Sequence, residues 1–445
     1  MRKKLLSGLF WVLLANLIVK PLWLLGVEVG VQNAVGNEMY GFYYAIFSFS
    51  YIFNILLDLG LTNYNTRNIA QHPQLIQKYL SGILGIKLCL LALYVVVTFS
   101  VGALMGYGSR EFGLLALLCA AQFLNSLILY LRSNFEGLLL FRWSSLFSVM
   151  DRLLMIVICG CLMWSPLRER FNIYWFVYAQ LVAYGLTALL ALVVIGRKAR
   201  LRRIRWDRRF FLVVLKQSAP FALLVLLMAA YGHVDSIILR PLAGDAEAGI
   251  YAGAFRLLDA LTMVAYLVSV PLLPVFSRLC REVDSTNQLV NVLRIVFWPM
   301  MVFAVGAAVV CAVWAEPIMG LLYHERAAQY VPVFRVVIFG IIPIGLTYIF
   351  GTLLTAGGHL RQLNTFAAMS LVVNIAVNLV LIPHLAAEGS AWASLTAQSF
   401  MAVAQLLLAV RIFRLPCAAF RPPQLSDARL LIEMIKENKQ NKDKE

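Results

Sequence analysis

Charge is scarce in this chain, and strand-like alternation is missing. Only 13% of its 445 residues are Asp, Glu, Lys or Arg, where a soluble domain carries about 25%, so water is not the main solvent of the fold. Apolar residues run instead in stretches of roughly 20, the length of a helix that crosses a hydrocarbon core of about 30 Å. A membrane barrel would alternate apolar and polar residues over about 10 positions. Without that alternation, a helical bundle is what satisfies the backbone in lipid. Zinc-ligand spacing is also missing from the seven cysteines, Cys89, Cys119, Cys159, Cys161, Cys280, Cys311 and Cys417, most of which fall in apolar runs and pack as small apolar residues. Cys159 and Cys161 are two positions apart, so a helix points them about 200° apart. No nucleophile–base pair, metal-ligand cluster or phosphate-binding glycine loop is recognisable, and no cofactor is expected.

What charge there is has one dominant sign. Lys and Arg number 38 against 22 acidic residues, a net +16. The basic residues sit in short breaks between apolar runs, where they set orientation by the positive-inside rule; they do not imply nucleic-acid binding. The runs predict an all-α, polytopic membrane protein of about twelve spans, at 5–27, 40–61, 79–106, 112–131, 143–164, 173–195, 211–240, 249–276, 290–314, 332–355, 364–384 and 389–413. Alternate breaks hold Arg2, Lys3 and Lys4; Arg67 and Lys78; Arg132 and Arg142; the cluster at 197–209; Arg278 and Arg281; Arg361; and the tail. The other set holds Glu28 and Glu38; Arg110 and Glu111; Arg168, Glu169 and Arg170; Asp245 and Glu247; Glu316, Glu325 and Arg326; and Glu388, and lacks the basic excess of the first. Both termini are therefore expected in the cytoplasm. Met1-Arg2-Lys3-Lys4 and its apolar sequel look like a signal peptide, but the run is long, contains Pro21 and lacks a small-x-small site, so it is expected to remain as the first span.

A short internal repeat divides the chain. Gly41-Phe-Tyr-Tyr-Ala-Ile-Phe47 returns as Gly249-Ile-Tyr-Ala-Gly-Ala-Phe255, and each copy opens the second span of its half. Between the halves lies the basic stretch Gly196-Arg-Lys-Ala-Arg-Leu-Arg-Arg-Ile-Arg-Trp-Asp-Arg-Arg209, a cytoplasmic linker that could also hold anionic headgroups. The organisation predicted is a six-helix lobe over 1–196, a linker over 197–210, a second six-helix lobe over 211–415 and a polar cytoplasmic tail over 416–445, with a surface helix at 425–438. Six spans per half keep the halves parallel, as in transporters with a site near the midplane between two repeats. A monomer is expected.

Val35-Gly-Asn-Glu-Met-Tyr-Gly-Phe-Tyr43, followed by Leu57-Asp-Leu-Gly-Leu-Thr62 and Arg67-Asn-Ile-Ala70, resembles the polysaccharide flippases of the multidrug/oligosaccharidyl-lipid/polysaccharide exporter superfamily. Those proteins show G-x-E-x-Y-G near the start of the second helix, then a turn of S/D-L-G-L type and an R-x-I-A extension. The resemblance implies a cavity opening alternately to either side of a bacterial inner membrane, and movement of undecaprenyl-pyrophosphate-linked sugar repeat units for O-antigen, lipopolysaccharide or other surface polysaccharide. The same superfamily contains cation-coupled multidrug exporters of the MATE type.

Ionisable residues inside spans are costly and are functional candidates by default. Here they are Lys20, Asp58, Lys87, Asp151, Arg152, Asp235, Arg256 and Asp259. A pyrophosphate headgroup needs cations along its route, and the planar fork of Arg suits phosphate; Lys20 and Arg256 are the candidates. Glycan hydroxyls need polar and aromatic groups, which Asn16, Tyr43, Tyr51, Asn54 and Tyr251 could supply. Arg256 and Asp259 are spaced i, i+3 and share a helix face, so a mutual ion pair is the alternative to a substrate role. Asp235 and Asp259 are candidates for coupling to a proton or sodium gradient, with a snorkelling carboxylate near Arg240 as the other reading of Asp235. Lys87 is expected to snorkel inward, and Asp58 and Arg67 to be structural. A drug-cation antiporter would favour acidic lobes, which Lys20 and Arg256 oppose. A membrane glycan polymerase or ligase usually carries its chemistry in a large extracytoplasmic segment, and every non-cytoplasmic break here is short.

The topology predicts that reporter fusions after Gly36, Gly108, Ser165, Gly244 and Glu388 read as periplasmic, and fusions after Pro73, Arg203 and Lys436 as cytoplasmic. A periplasmic signal from the Lys436 fusion overturns the even span count.

Overall fold

The computed structural model describes residues 18–62, 65–66, 69, 72–138, 140–165, 171–199, 226–227, 229–280 and 286–422. Among these there is no strand, and nine helical stretches are long and apolar enough to cross a membrane. Two of the nine are each broken once. Ile18–Leu57 has a non-helical residue at Gly36 (φ 81°), giving α1 (18–35) and α2 (37–57). Leu360–Ile412 breaks at Ala386 (φ 48°), giving α12 (360–385) and α13 (387–412). Between these lie α3 (Ile76–Leu104), α4 (Ser109–Gly137), α5 (Phe141–Trp164), α6 (Ile173–Ala199), α7 (229–243), α8 (Asp245–Leu279), α9 (Thr286–Val313), the short α10 (Ala315–Tyr323) and α11 (Ala327–Ala356). The chain is a polytopic all-α membrane protein. The first part of the first span, the basic linker beyond Ala199, the start of the 211–240 run and the surface helix expected at 425–438 lie outside the described residues.

The sequence ends the first span at Val27, but α1 runs on through Glu28. Its segment Leu22–Glu28 is π-helical, and the carboxylate accepts a hydrogen bond from Trp23 Nε1 at 2.9 Å. A satisfied carboxylate need not mark the end of a helix. The sequence also leaves 315–331 as a loop, whereas Ala315–Tyr323 is helical. Too short to span, α10 stacks Tyr323 on Tyr330, ring centroids 3.9 Å apart.

The chain forms two compact units. The first holds α1–α7, the opening of α8 and residues 382–387; the second holds the rest. In the first unit, apolar faces of α1, α2 and α4–α6 meet around Ile46, Leu118, Met155, Phe176 and Val177. A second cluster, around Leu80, Ile83, Leu131, Phe135 and Phe147, binds α3 to α4, α5 and α6. Lys87 joins the elements through polar contacts. Its ammonium donates to Asp58 Oδ1 at 2.9 Å, Leu57 O at 3.0 Å and Ser126 Oγ at 2.7 Å. It is 1% exposed, so it does not snorkel. The amine meets four oxygens where α2 ends in a turn with Leu59 and Gly60 at positive φ, and water offers it nothing better. Asp58 also accepts from the Thr62 hydroxyl at 2.6 Å, which gives the Asp-Leu-Gly-Leu-Thr turn its shape.

The repeat shows itself in backbone geometry. Gly36 and Gly244, five residues before Gly41 and Gly249, both have positive φ, at 81° and 94°, a conformation that glycine adopts at little cost. Beyond these turns the two repeat helices cross at their second glycines. A Cβ on Gly41 would fall on the carbonyl oxygen of Asp245, and a Cβ on Gly249 on that of Asn37. Asn37 and Asp245 are themselves equivalent in the repeat, so the crossing maps onto itself when the two copies are exchanged.

In the second unit, α8, α9, α11 and α13 pack around Phe276, Leu293, Phe350 and Leu353. The chain after α13 returns onto α9: Trp298 Nε1 donates to Phe420 O at 3.1 Å, and Phe297 meets the Phe420 ring edge-on at 5.5 Å.

Because the obstacles at the crossing are backbone atoms, Gly41→Ala and Gly249→Ala should each destabilise the purified protein by about 2 kcal/mol or more. Gly113→Ala, with open space around it, should be neutral. Thermal unfolding in one detergent checks this, and equal melting temperatures for all three variants would remove the close crossing.

Candidate functional site

The polar interior of the first unit grows outward from one buried arginine. Arg256, three turns into α8, is 2% exposed. Its Nη1 lies 2.8 Å from Glu28 Oε2, and its guanidinium sits over the Tyr40 ring, 4.5 Å from the centroid. Glu28 is the hub on the other side, with Trp23 Nε1 donating to one oxygen at 2.9 Å and the Tyr40 hydroxyl to the other at 3.5 Å. A cation, a carboxylate and two aromatic groups from α1, α2 and α8 thus complete one another between helices. The sequence offered Asp259 as the partner, because i, i+3 spacing is visible along one helix. Arg256 also has an ion-pair partner on another helix in Glu28, which the sequence had assigned to a break between spans. Asp259 is partly buried further along α8, where its carbonyl accepts from the Thr262 hydroxyl at 2.8 Å.

Trp23 links this pair to a second basic group. The Arg152 guanidinium lies 5.4 Å from its ring centroid. Arg152 Nη1 donates to the Tyr184 hydroxyl at 2.7 Å, and Gln180 donates to the same oxygen at 3.1 Å. Arg152 also reaches Asp151 at 3.7 Å. Neighbouring helix positions point about 100° apart, yet the long arginine stem bends back to its neighbour. Lys20 is exposed on α1, with Arg152, Arg132 and Asp151 within electrostatic reach. Lys20 and Arg256 thus belong to one unit but to different clusters.

Tyr43 is 5% exposed. Its ring packs edge-on to Phe176 at 5.4 Å and beside Tyr40 at 5.6 Å, so it braces the wall that holds Tyr40. Tyr251 is also buried, and its hydroxyl donates to Asp235 Oδ2 at 3.1 Å. Asp235, 3% exposed, is therefore not a snorkelling surface carboxylate. Asn16 lies outside the described residues. On the partly exposed side of α2, Asn54 donates to Gln122 at 3.1 Å, and the Tyr51 ring lies 4.5 Å from that of His233. His233 Nδ1 is 3.2 Å from Ser48 Oγ.

One end of the first unit is tied by charge. Arg240 holds Glu111 at 2.8 Å and Asp245 at 2.6 Å. Phe42 lies beneath both Arg240 and Arg110, at 5.0 and 4.4 Å. Tyr107, between α3 and α4, lies under the same guanidinium at 5.9 Å; burial pushes its hydroxyl up to about 12, so it stays neutral there. Glu247 Oε2 accepts from the backbone of Ala387 at 3.1 Å. The breaks near 36, 108, 244 and 386, which the charge pattern assigns to one side of the membrane, therefore meet at one end. In the second unit the buried polar side chains among the described residues are neutral amides and hydroxyls: Asn378 donates to Asn374 Oδ1, and Ser390 to Asn378 Oδ1, each at 2.9 Å. Among the described residues no three His, Cys, Asp or Glu side chains are grouped to hold a metal ion.

The fold is that of multi-pass transporters. It is similar to the lipid II flippase MurJ in an inward closed conformation, with 13% identity, 97% of this chain and 92% of that one covered and a TM-score of 0.70. It is also similar to an inward-facing multidrug resistance MATE family transporter of the MOP superfamily, with 14% identity, coverage of 90% and 94% and a TM-score of 0.66, and to the Vibrio cholerae MATE transporter VcmN, with 16% identity, coverage of 94% and 98% and a TM-score of 0.57. At these identities the likeness is one of fold. No curated protein matches the sequence. Residues 5–280 match the family described as Polysaccharide biosynthesis protein, and the chain belongs to that family.

Glu28→Gln removes a counter-charge of the buried Arg256 and should cost about 3–5 kcal/mol. Glu28→Asp should cost less. The paired neutral variant Glu28→Gln/Arg256→Met should recover most of the loss. Melting temperatures of the purified variants measure this; if the double variant melts no higher than Glu28→Gln alone, the pair is not the coupled unit described.

Proposed function

We propose that this protein is a flippase that carries undecaprenyl-pyrophosphate-linked oligosaccharide repeat units across the bacterial inner membrane by alternating access, for surface polysaccharide such as O-antigen. The observation that carries the reading is Arg256, a guanidinium buried in an apolar helix of span length, within a chain of the polysaccharide biosynthesis family. A pyrophosphate crossing a bilayer must exchange its water for fixed cations, and an arginine fork meets phosphate oxygens in pairs. Glu28 keeps that fork neutralised when no substrate is present, and an arriving pyrophosphate competes with it. Lys20, exposed beside Arg152 and Arg132, offers a second point of attraction. The process is transport of a lipid-linked substrate and not catalysis; the protein works as a monomer with both termini cytoplasmic, as two six-helix halves.

Coupling to a proton or sodium gradient falls to Asp235 or Asp259. Asp235 is the stronger of the two because it is buried with a hydroxyl partner in Tyr251, so a change in its charge is felt by α8. A MATE-type cation antiporter is the competing reading, favoured by the shared fold. The cations Lys20, Arg152 and Arg256 in the first unit repel such a substrate.

Arg256→Ala should abolish glycan export while the protein still inserts, and Arg256→Lys should keep part of it, since charge survives and the fork does not. Complementation of an export-defective strain, with protein levels checked, tests this; full export by Arg256→Ala at normal levels refutes the substrate role. Asp235→Asn and Asp259→Asn should slow gradient-driven transport without weakening substrate binding. Unchanged transport in both variants leaves these carboxylates as structural partners.

A further inference from the structure

Along residues 41–50 of α2 every side chain is buried except Tyr44 and Phe47. These two continue a single aromatic line. Tyr40 stacks with Tyr44 at 6.3 Å, Tyr44 with Phe47 at 6.4 Å, and Phe47 meets Tyr51 at 5.8 Å. The spacing i, i+4, i+7, i+11 follows one face of the helix, over about 16 Å at 1.5 Å per residue. Tyr51 then meets His233 of α7 at 4.5 Å, and Ser48 fixes that imidazole from the side. At one end of the line the Tyr40 ring carries Arg256; at the other stands the amide pair of Asn54 and Gln122.

A line of aromatic residues on a membrane helix most often faces lipid, but this one differs from the faces that do. Side chains open to the surroundings along the middle of α3 and α6 are mainly aliphatic, among them Leu88, Leu93, Val96, Val182, Leu186 and Leu189, each more than 40% exposed, and the exposed aromatics of α6, Trp175 and Tyr178, lie in its first two turns. On α2 the open positions are tyrosines and a phenylalanine beside an imidazole and two amides, only partly exposed. Hydroxyls and an imidazole buried in hydrocarbon are expensive, so this face belongs against water or a polar substrate. Flat rings in a row, with polar groups at the edges, match one kind of ligand. A pyranose presents a patch of polarised C–H bonds on its face and hydroxyls around its rim; the negative face of an aromatic ring attracts the first, and amide and imidazole groups answer the second.

We infer that Tyr44, Phe47 and Tyr51 form a stacking track for the sugar rings of the cargo, with His233 and Asn54 meeting the hydroxyls and Arg256 holding the pyrophosphate at the head of the line. The inference rests on the flippase reading and deepens it. Stacking reads ring faces and not the pattern of hydroxyls, so the track tolerates different sugars and lets a chain of them slide.

Two probes separate the sugar from its anchor: undecaprenyl pyrophosphate, and undecaprenyl-pyrophosphoryl-chitobiose. Binding of each to the full chain in nanodiscs is measured for wild type, for Tyr44→Leu/Phe47→Leu/Tyr51→Leu, for Tyr51→Leu alone, and for Tyr44→Phe/Tyr51→Phe. Wild type should bind the sugar-bearing probe more tightly than the bare one. Each leucine should weaken only the sugar-bearing probe, by roughly three- to tenfold, and the triple variant should bind both probes alike. The phenylalanine variant should retain most of the difference, because the rings remain. A sugar increment that survives in the triple variant, or that disappears equally with phenylalanine, overturns the track while leaving pyrophosphate binding intact. Absence of binding to either probe by wild type overturns the flippase reading itself, and the track with it.

Discussion

A charged side chain within a helix of membrane length persists only where another group answers it, because hydrocarbon cannot. This constraint organises the first unit. Lys87 is answered by Asp58, a carbonyl and a serine, and in meeting them it draws together the end of α2, α3 and α4. Arg240 is answered twice, by Glu111 and Asp245, and closes one end. Arg256 is answered by Glu28. The first two arrangements fasten helices. The third joins α8 to α1, with the Tyr40 ring of α2 against the guanidinium.

Close backbone approach is the second constraint, and it falls on the repeat. At the crossing of Gly41 and Gly249 a single methyl group on either side meets a carbonyl oxygen. Two helices that touch through backbone, with positive-φ glycines five residues earlier, are steered by their turns more than by side-chain interlocking. The same stretch carries Tyr40, Tyr44, Phe47 and Tyr51, so the aromatic line begins where the backbone is most closely held.

Much of the helical layout could be read from hydropathy, because in lipid the length of an apolar run dictates the length of a helix. The runs at 143–164 and 364–384 correspond to Phe141–Trp164 and to 360–385. The repeat was legible because its glycines are required by turns and by contact, and both leave a mark in sequence. The pairing of Arg256 with Glu28 was not. Glu28 and Arg256 are far apart along the chain, and Glu28 looked like a helix boundary because a carboxylate after an apolar run usually is one. The snorkelling expected of Lys87, and offered as one of two readings of Asp235, fails for a similar reason: each lies where a long or short side chain could have reached water, and only the positions of neighbouring helices, with Ser126 in one case and Tyr251 in the other, show that it does not. Of the aromatic line the sequence singled out only Tyr51, because tyrosines at helical spacing cannot be told from core until the burial of residues between them is known.

The π-helical segment Leu22–Glu28 has a consequence for how this protein can change. In an α-helix residues five apart diverge by about 140°, and Trp23 could not reach Glu28. The wider turn brings positions i and i+5 into register, which is why that bond exists. It also means that the part of α1 preceding the segment, Lys20 included, is rotated relative to the part that follows. Loss of a single residue from the bulge would restore α-helical winding and swing the earlier part around the helix axis, with every remaining side chain unchanged. Length polymorphism in this one stretch is therefore a route by which relatives could redirect a lysine toward a different wall of the protein at the loss of one side chain.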